Sequence, residues 1–474
     1  MENPTIAAIA TPGGRGGIGI IKISGSNALS IASAIFTPPV SPSSAVFLRP
    51  GSANTVDFKS HQLYYGHIVD PGSQQVLDEV LLSVMKAPRS YTREDIVEIN
   101  THGGQIAVNA ILELVLRQGA RLAEPGEFTK RAFLNGRIDL TQAEAVIDVI
   151  NARTDKSLQA AAAQIKGTLS RPVIQIRERL IALLTLTEAG IDFPDDVADI
   201  LETEAVVAEI ETDVIKPLRR LIQQHVDGNA LRDGLKIAIV GRPNVGKSSL
   251  LNCMVQKERA IVTAVPGTTR DLIEETINLD GFPIVLADTA GLHETRDPIE
   301  TIGIKKTLDS ATAADLVLFM VEANRALTAE DHKIFEQFRS KPLIIVINKI
   351  DLKNKNSRNA VEIAANWPSN KCLEISALYD LGIEALKQQI VTTAFGENPI
   401  DIETGIVPNL RQKLHLEDSL KAAQAIRHEL ENGTPMELIA IQLQEVIDAL
   451  GQIIGTTVKV DVLDQIFSRF CIGK

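Results

Sequence analysis

The residues with the clearest chemistry are Gly241-Arg242-Pro243-Asn244-Val245-Gly246-Lys247-Ser248. They fit G-x-x-x-x-G-K-[ST], follow the apolar run Ile237-Val240, and lead into Ser249-Leu250-Leu251-Asn252, a helix-compatible opening. In that context backbone N–H groups would cradle phosphate oxygens. Lys247 would neutralise the outer phosphates, and Ser248 would supply a magnesium ligand. Three further groups end later apolar runs: Asp288-Thr289-Ala290-Gly291, Asn348-Lys349-Ile350-Asp351 and Ser376-Ala377-Leu378. A carboxylate at Asp351 accepts from the N1–H and exocyclic amine of guanine. Adenine would leave it unpaired, so the expected nucleotide is GTP.

After Gly291, where many small GTPases keep a glutamine to orient the attacking water, stands Leu292. Some other group must assist hydrolysis. The candidates are Asn244 in the phosphate loop, Arg270 and Asp271 in Gly267-Thr268-Thr269-Arg270-Asp271, and Glu300; spacing does not choose among them.

The elements that must hold these residues alternate short apolar runs with helix-length polar segments. Ile237-Val240, Ile284-Ala287, Leu316-Val321 and Leu343-Ile347 predict a doubly wound, Ras-like α/β domain over residues 230–395. On either side the period becomes helical, through Ala143, Val146, Ile147 and Ile150 and then Val173, Ile176, Leu180, Leu183 and Thr187. It resumes after Pro408, and Thr434-Pro435-Met436-Glu437 reads as a helix start ahead of Ile439, Leu443, Val446 and Leu450. The expectation is an all-helical domain, 136–229 and 396–474, with the G domain inserted. Residues 1–135 carry strand-like runs at Ile6-Ala10, Ile18-Ile23, Val80-Val84 and Ile96-Ile99 and a helix from Gln105 to Arg117, which predicts an amino-terminal α+β domain.

At 474 residues the chain is long enough for two to four folding units. Its 45% hydrophobic and 23% charged residues fit a soluble globular protein. The net charge of -12 lacks the basic excess of proteins that hold nucleic acid alone, so an RNA substrate would need positive surface from a partner. Met1-Glu2-Asn3-Pro4 is no basic lead-in to an apolar stretch, and no run is long enough to span a membrane, so a cytoplasmic location is expected. Cys253, Cys372 and Cys471 lack metal-ligand spacing, and their odd number opposes a disulfide framework. From Ile191 to Asp213 there are nine acidic residues and no basic one, which reads as a solvated face rather than a metal site.

Asn244, the Gly-Thr-Thr-Arg-Asp segment, Asp-Thr-Ala-Gly-Leu, Ile191-Asp192-Phe193-Pro194 and the terminal Cys471-Ile472-Gly473-Lys474 together resemble the MnmE (TrmE) family of tRNA-modification GTPases. Further matches are Ala10-Thr11-Pro12-Gly13-Gly14-Arg15-Gly16-Gly17, Thr101-His102-Gly103-Gly104, and Pro125-Gly126-Glu127-Phe128-Thr129 leading into Arg131-Ala132-Phe133-Leu134-Asn135-Gly136. The resemblance runs from Thr5 to Lys474. It implies a homodimer whose amino-terminal domain binds 5-formyltetrahydrofolate or a related C1-tetrahydrofolate. It also implies a partner, MnmG, that brings FAD, and joint modification of the fifth carbon of the wobble uridine in certain tRNAs. By resemblance, nucleotide contacts extend over Thr263-Ala264-Val265-Pro266-Gly267-Thr268-Thr269. Potassium is held by Asn244, Thr263, Val265 and Thr268, magnesium by Ser248 and Thr269, and Glu300 positions water indirectly. Lys22, Glu98, Arg137 and Lys474 match the folate site, with a carboxylate for the pterin's donor edge and basic groups for the glutamate tail. Arg93 stands where many members have glycine.

Blander readings compete. Gly14-Arg15-Gly16-Gly17-Ile18-Gly19 fits G-x-G-x-x-G, yet a strand-like run follows it and a dinucleotide site is not expected. Cys471 is a candidate catalytic residue through the resemblance, with packing as its alternative. His102 reads as a hydrogen-bonded turn histidine, and Cys253 and Cys372 as core. The competing functions are a ribosome-assembly GTPase of the Era or Der kind and a purely structural GTP switch.

Overall fold

The computed structural model describes residues 4–39, 57–192, 203–258, 274–288, 312–352, 365, 367, 371–395 and 406–474. The chain divides into two compact units, Met1–Ile147 with Ile454–Lys474, and Asp148–Ile453.

The first unit is built on β1 (Ile6–Ile9), β2 (Ile18–Ser24), β3 (Phe36–Thr37), β4 (Gln62–Val69), β5 (Val76–Met85), β6 (Ile96–His102) and β7 (Arg121–Leu122). They form one sheet in the order β3-β4-β5-β6-β2-β1-β7. All neighbours are antiparallel except β1 and β7, which are parallel. Alternation decides which face is buried. Ile21, Ile23, Val80, Leu82, Val84, Val97 and Ile99 point to one side, where helices Ala28–Ile35 and Gln105–Arg117 add Ile31, Ile35, Val108, Ile111, Leu114 and Val115. The register pairs Lys22 with Glu98 on the other face. That face is partly covered by helix Glu127–Leu134, whose Phe128 packs with Ile6 and Ala8. Gly17 leads directly into β2, the strand expected after the glycine-rich run, rather than into a helix.

Residues 454–474 join this unit because Leu463, Phe467 and Phe470 pack on Leu140 and Ala143 of helix Leu140–Asn151. The chain end then returns to the sheet: Phe128 N donates to the Lys474 carbonyl at 3.2 Å. Gly473 has φ +92°, and a Cβ there would stand 2.6 Å from the Ile9 carbonyl, so only glycine lets the tail lie against β1.

In the second unit, β8 (Leu235–Val240), β9 (Glu274–Leu279), β10 (Phe282–Asp288), β11 (Leu316–Glu322), β12 (Leu343–Asn348) and β13 (Lys371–Glu374) form a sheet ordered β13-β12-β11-β8-β10-β9. Only the β9–β10 pair is antiparallel. The central strands are apolar throughout because both faces are covered. Ile237, Ile239, Leu318, Met320, Ile344 and Val346 meet helices Lys247–Glu258 and Ile383–Phe395 on one side. Ala238, Val240, Phe319, Val321, Ile345 and Ile347 meet Ala329–Phe338 on the other. This is the doubly wound arrangement the apolar runs predict. Cys253 and Cys372 are half-buried at the margins of these cores rather than within them.

The rest of the unit is helical. Val173, Ile176, Leu180, Leu183 and Thr187 are the buried stripe of Ser170–Asp192, and Leu416, Ala423, Ile426 and Leu430 that of Leu410–Glu431. Of the acidic stretch, Thr203–Glu209 is helical and continues as a π-helical turn, Ile210–Ile215. Residues 193–202 of that stretch lie outside the described residues; within the rest Ile210 is buried and Glu211 receives Arg427 Nη1 at 2.8 Å. No helix among the described residues is long and apolar enough to cross a membrane.

Candidate functional site

The candidate nucleotide site is a loop between a buried strand and a helix. β8 ends at Val240, Gly241 turns the chain at φ +150°, Asn244 sits at φ +61°, Gly246 at φ +103°, and the helix starts at Lys247. Such a succession turns backbone N–H groups inward as a concave anion cradle. Lys247, almost wholly buried, donates to the carbonyls of Gly241 and Arg242, each at 2.9 Å, which holds its ammonium in the concavity. Arg242 Nε reaches the fully buried Asp331 Oδ1 at 2.7 Å, and Asp331 also accepts from Thr328 N, so one carboxylate ties the loop to a helix cap. Val245 is buried, while Ser248 and Ser249 lie in the first turn of the helix.

The ends of β12 and β13 complete the cradle. Asn348 Nδ2 donates to Val245 O at 2.8 Å and its Oδ1 accepts from Ala377 N at 3.0 Å. Lys349, itself at φ +65°, donates to Asn244 O at 2.5 Å and pairs with buried Glu322. Ser376 Oγ donates to Asp351 Oδ1 at 2.5 Å, which fixes one oxygen of the exposed carboxylate. Leu378 is 75% exposed beside it. Asn244, Lys349 and Asp351 are thereby brought to one end of the sheet, at the carboxyl ends of its parallel strands, where doubly wound folds bind ligands. Asp288 ends β10. Thr263, Ala264, Val265, Pro266, Gly267, Thr268, Thr269, Arg270, Asp271, Thr289, Ala290, Gly291, Leu292 and Glu300 lie outside the described residues. Glu322, which fixes Lys349, gave no signal in the sequence beyond its place at the end of an apolar run.

A second cluster lies in the first unit. Lys22 Nζ is 3.6 Å from Glu98 Oε1 and stands 5.7 Å from the Tyr91 ring centroid and 5.5 Å from that of Phe128. Arg137 Cζ lies 4.7 Å from the same Tyr91 ring. Burial holds the Lys22 ammonium below the usual lysine range; Glu98 opposes that shift and the nearby Lys474 adds to it. Burial likewise pushes the Tyr91 phenol up, although its bond with Thr129 and the charge of Arg137 pull the other way. Lys22, Glu98, Arg137 and Lys474 thus converge from four remote segments. Lys22 stands against Tyr91 and Phe128, Arg137 stands against Tyr91, and Tyr91 bonds to Thr129; sequence reasoning singled out none of these three, although Phe128 and Thr129 stand inside a quoted stretch. Three basic groups, one carboxylate and two aromatic rings suit a planar heterocycle with a donor edge and an anionic tail. Cys471 is exposed, and its carbonyl accepts from Gly126 N and Lys474 N, so its backbone closes the chain end onto the helix.

His102 is hydrogen-bonded as expected, but it ends β6 rather than sitting in a turn. Its Nδ1 is 2.7 Å from Asp78 Oδ1, while Asp78 Oδ2 accepts from His102 N and the Thr101 hydroxyl.

Two family models match the chain: the GTP-binding protein TrmE N-terminus over residues 5–137 and the MnmE helical domain over 140–471. The tRNA modification GTPase MnmE of Desulfotalea psychrophila is 46% identical over 475 residues, covering 100% of this chain and 99% of that protein. The enzyme of the same name from Moorella thermoacetica is 45% identical over 479 residues, with both proteins covered completely. Among solved structures, Era in complex with MgGDPNP and a segment of 16S ribosomal RNA is 30% identical over 40% of this chain and 66% of that one, with a TM-score of 0.29. With both family models matched and full-length relatives at this identity, the chain belongs to the MnmE (TrmE) family of tRNA-modification GTPases.

Proposed function

We propose that this chain is a potassium-stimulated GTPase that acts as a homodimer with the FAD-dependent partner MnmG. Together they modify the fifth carbon of the wobble uridine in certain tRNAs, with a C1 unit taken from a formyl-tetrahydrofolate. The observation that carries the reading is the presence in one chain of both a phosphate-type loop braced by Asn348 and Lys349 and the cluster of Lys22, Glu98, Arg137 and Lys474. An assembly GTPase needs the first and has no use for the second.

In the cradle, the loop amides and Lys247 bind phosphates, Asp351 accepts from guanine, and Ser248 with Thr269 holds magnesium. Potassium bound by Asn244, Thr263, Val265 and Thr268 would supply positive charge against the phosphates. Asn244 is exposed in the loop and Lys349 fixes its backbone carbonyl, which suits such a role. Glu300 takes the water-positioning part that Leu292 cannot perform. In the pocket, Glu98 meets the donor edge of the pterin, and Lys22, Arg137 and Lys474 meet the acidic end. The folate supplies a one-carbon unit when bound; this chain's residues orient it and exclude water. Cys471 stands at the pocket's chain end in a packing or catalytic role.

Mass-spectrometric nucleoside analysis of tRNA from a deletion strain tests the whole reading. Loss of the C5-modified wobble uridine is expected. An unchanged tRNA profile with defective ribosomal RNA maturation would favour the Era or Der alternative.

A further inference from the structure

Arg93 adopts φ +58°, a left-handed conformation unfavourable to any side-chain-bearing residue outside a specific hydrogen-bonded setting. Such backbone strain persists where surrounding contacts hold it. The contacts are on both sides of its turn. On one side Glu94 receives Arg131 Nη1 at 3.1 Å on each oxygen and Ser24 Oγ at 2.7 Å, so the turn is fixed to β2 and helix Glu127–Leu134. On the other, Arg93 Nη1 donates to the Asn135 carbonyl at 2.9 Å while Asn135 Nδ2 donates back to the Thr92 carbonyl at 2.7 Å. These reciprocal bonds join residues 92–93 to residue 135, one step from Tyr91 and two from Arg137. The Tyr91–Arg137 stack at 4.7 Å closes the ring. Lys22 rests on the same Tyr91 ring, so the spacing of two pocket cations depends on where that ring is held.

We infer that Arg93 is a positioning residue for the Lys22–Glu98–Arg137–Lys474 pocket: its guanidinium latches the Tyr91 turn to the segment that carries Arg137. The inference rests on the folate reading of that pocket for its ligand, but not for its mechanics. Two full-length variants test it. Arg93→Gly removes the latch while suiting the left-handed backbone, and Arg93→Ala removes the latch and keeps the strain. In ligand-free protein, both should speed amide exchange over residues 90–95 and 133–137 several-fold. Both should also weaken binding of 5-formyltetrahydrofolate by about tenfold, the scale of one charge-assisted hydrogen bond. Agreement between the two variants separates the latch from the strain. Unchanged exchange in both overturns the inference. So does parental folate affinity in both when the parent binds. If the parent itself fails to bind the folate, the folate reading falls and exchange alone decides the latch.

Discussion

The proposed nucleotide cradle and the proposed folate pocket are built by opposite means. The cradle is nearly all backbone: eight consecutive residues, Gly241 to Ser248, form its floor, and Asn348, Lys349 and Ser376 brace it from strand ends. The pocket is all side chains, with Lys22, Glu98, Arg137 and Lys474 contributed by β2, β6, a helix exit and the chain end. A backbone site tolerates change between its anchor points but not at its glycines. A side-chain site depends on sheet register, since slipping β2 by one residue against β6 would turn Lys22 away from Glu98.

The strongest test of that contrast is Gly246→Ala. The position has φ +103°, and a Cβ there would lie 2.2 Å from Asn348 Nδ2, the group that holds Val245. Strain and a displaced brace together should lower GTP affinity by about a hundredfold or more, measured by calorimetry. Folate binding should survive; if it collapses as well, the two regions are not independent.

Glu300→Ala should leave GTP affinity near parental and cut single-turnover hydrolysis by roughly a hundredfold. A parental rate would move the role to Arg270. Asp351→Asn comes next: losing the acceptor that Ser376 orients should weaken GTP by about thirtyfold and improve the relative standing of xanthosine triphosphate. An unchanged nucleotide ranking in competition would remove Asp351 as the base reader.

On the pocket side a single group should matter less, because the load is shared. Glu98→Gln removes the partner of Lys22 and the carboxylate proposed to meet the pterin, and folate affinity should fall by about tenfold. A loss as large as that of Gly246→Ala would mean the pocket, too, hangs on one residue.

The same contrast explains what the sequence reveals. The phosphate loop is legible because its chemistry is local, and the strands around it because both faces are apolar. The edge strand Glu274–Leu279 is not, since its polar start leaves only a short alternation, whereas Lys371–Glu374 shows as the run that Ser376-Ala377-Leu378 ends. In the first unit, Gln105–Arg117 shows its helical period, whereas Ala28–Ile35 and β4 emerge only when sheet and helix bury each other. The pocket is invisible to spacing: positions 22, 98, 137 and 474 share no motif, and only resemblance groups them. Tyr91 escapes both, because its role comes from contact with Lys22 and Arg137 rather than from residue type. The packing of residues 454–474 beside Leu140 is likewise tertiary, carried by Phe467 and Phe470 against a helix far away in sequence.

The smallest expected effect concerns His102, which belongs to the first unit and lies outside both sites. The Asp78 carboxylate raises the imidazole above its ordinary 6.5, first through the hydrogen bond and then through charge. Burial alone would raise Asp78, yet the Thr101 and His102 hydrogen bonds outweigh it and hold the acid below 3.8. A raised histidine contributes stability that is complete below its unfolded pKa and disappears as pH climbs through its folded value. A depressed aspartate contributes above its unfolded pKa and loses that contribution on acidification. The pair is therefore at full strength between the two ordinary values, 3.8 and 6.5. His102→Gln removes the charge, so it should melt below the parent at about pH 5.5, and the gap should narrow by about pH 9. Because the ring is solvent-exposed, the gap should be a few degrees at most and should shrink further in high salt. GTP affinity should show no matching step, since the cradle contains no part of this pair. An equal melting gap at both pH values would show that His102 acts through its hydrogen bonds alone and not through its charge.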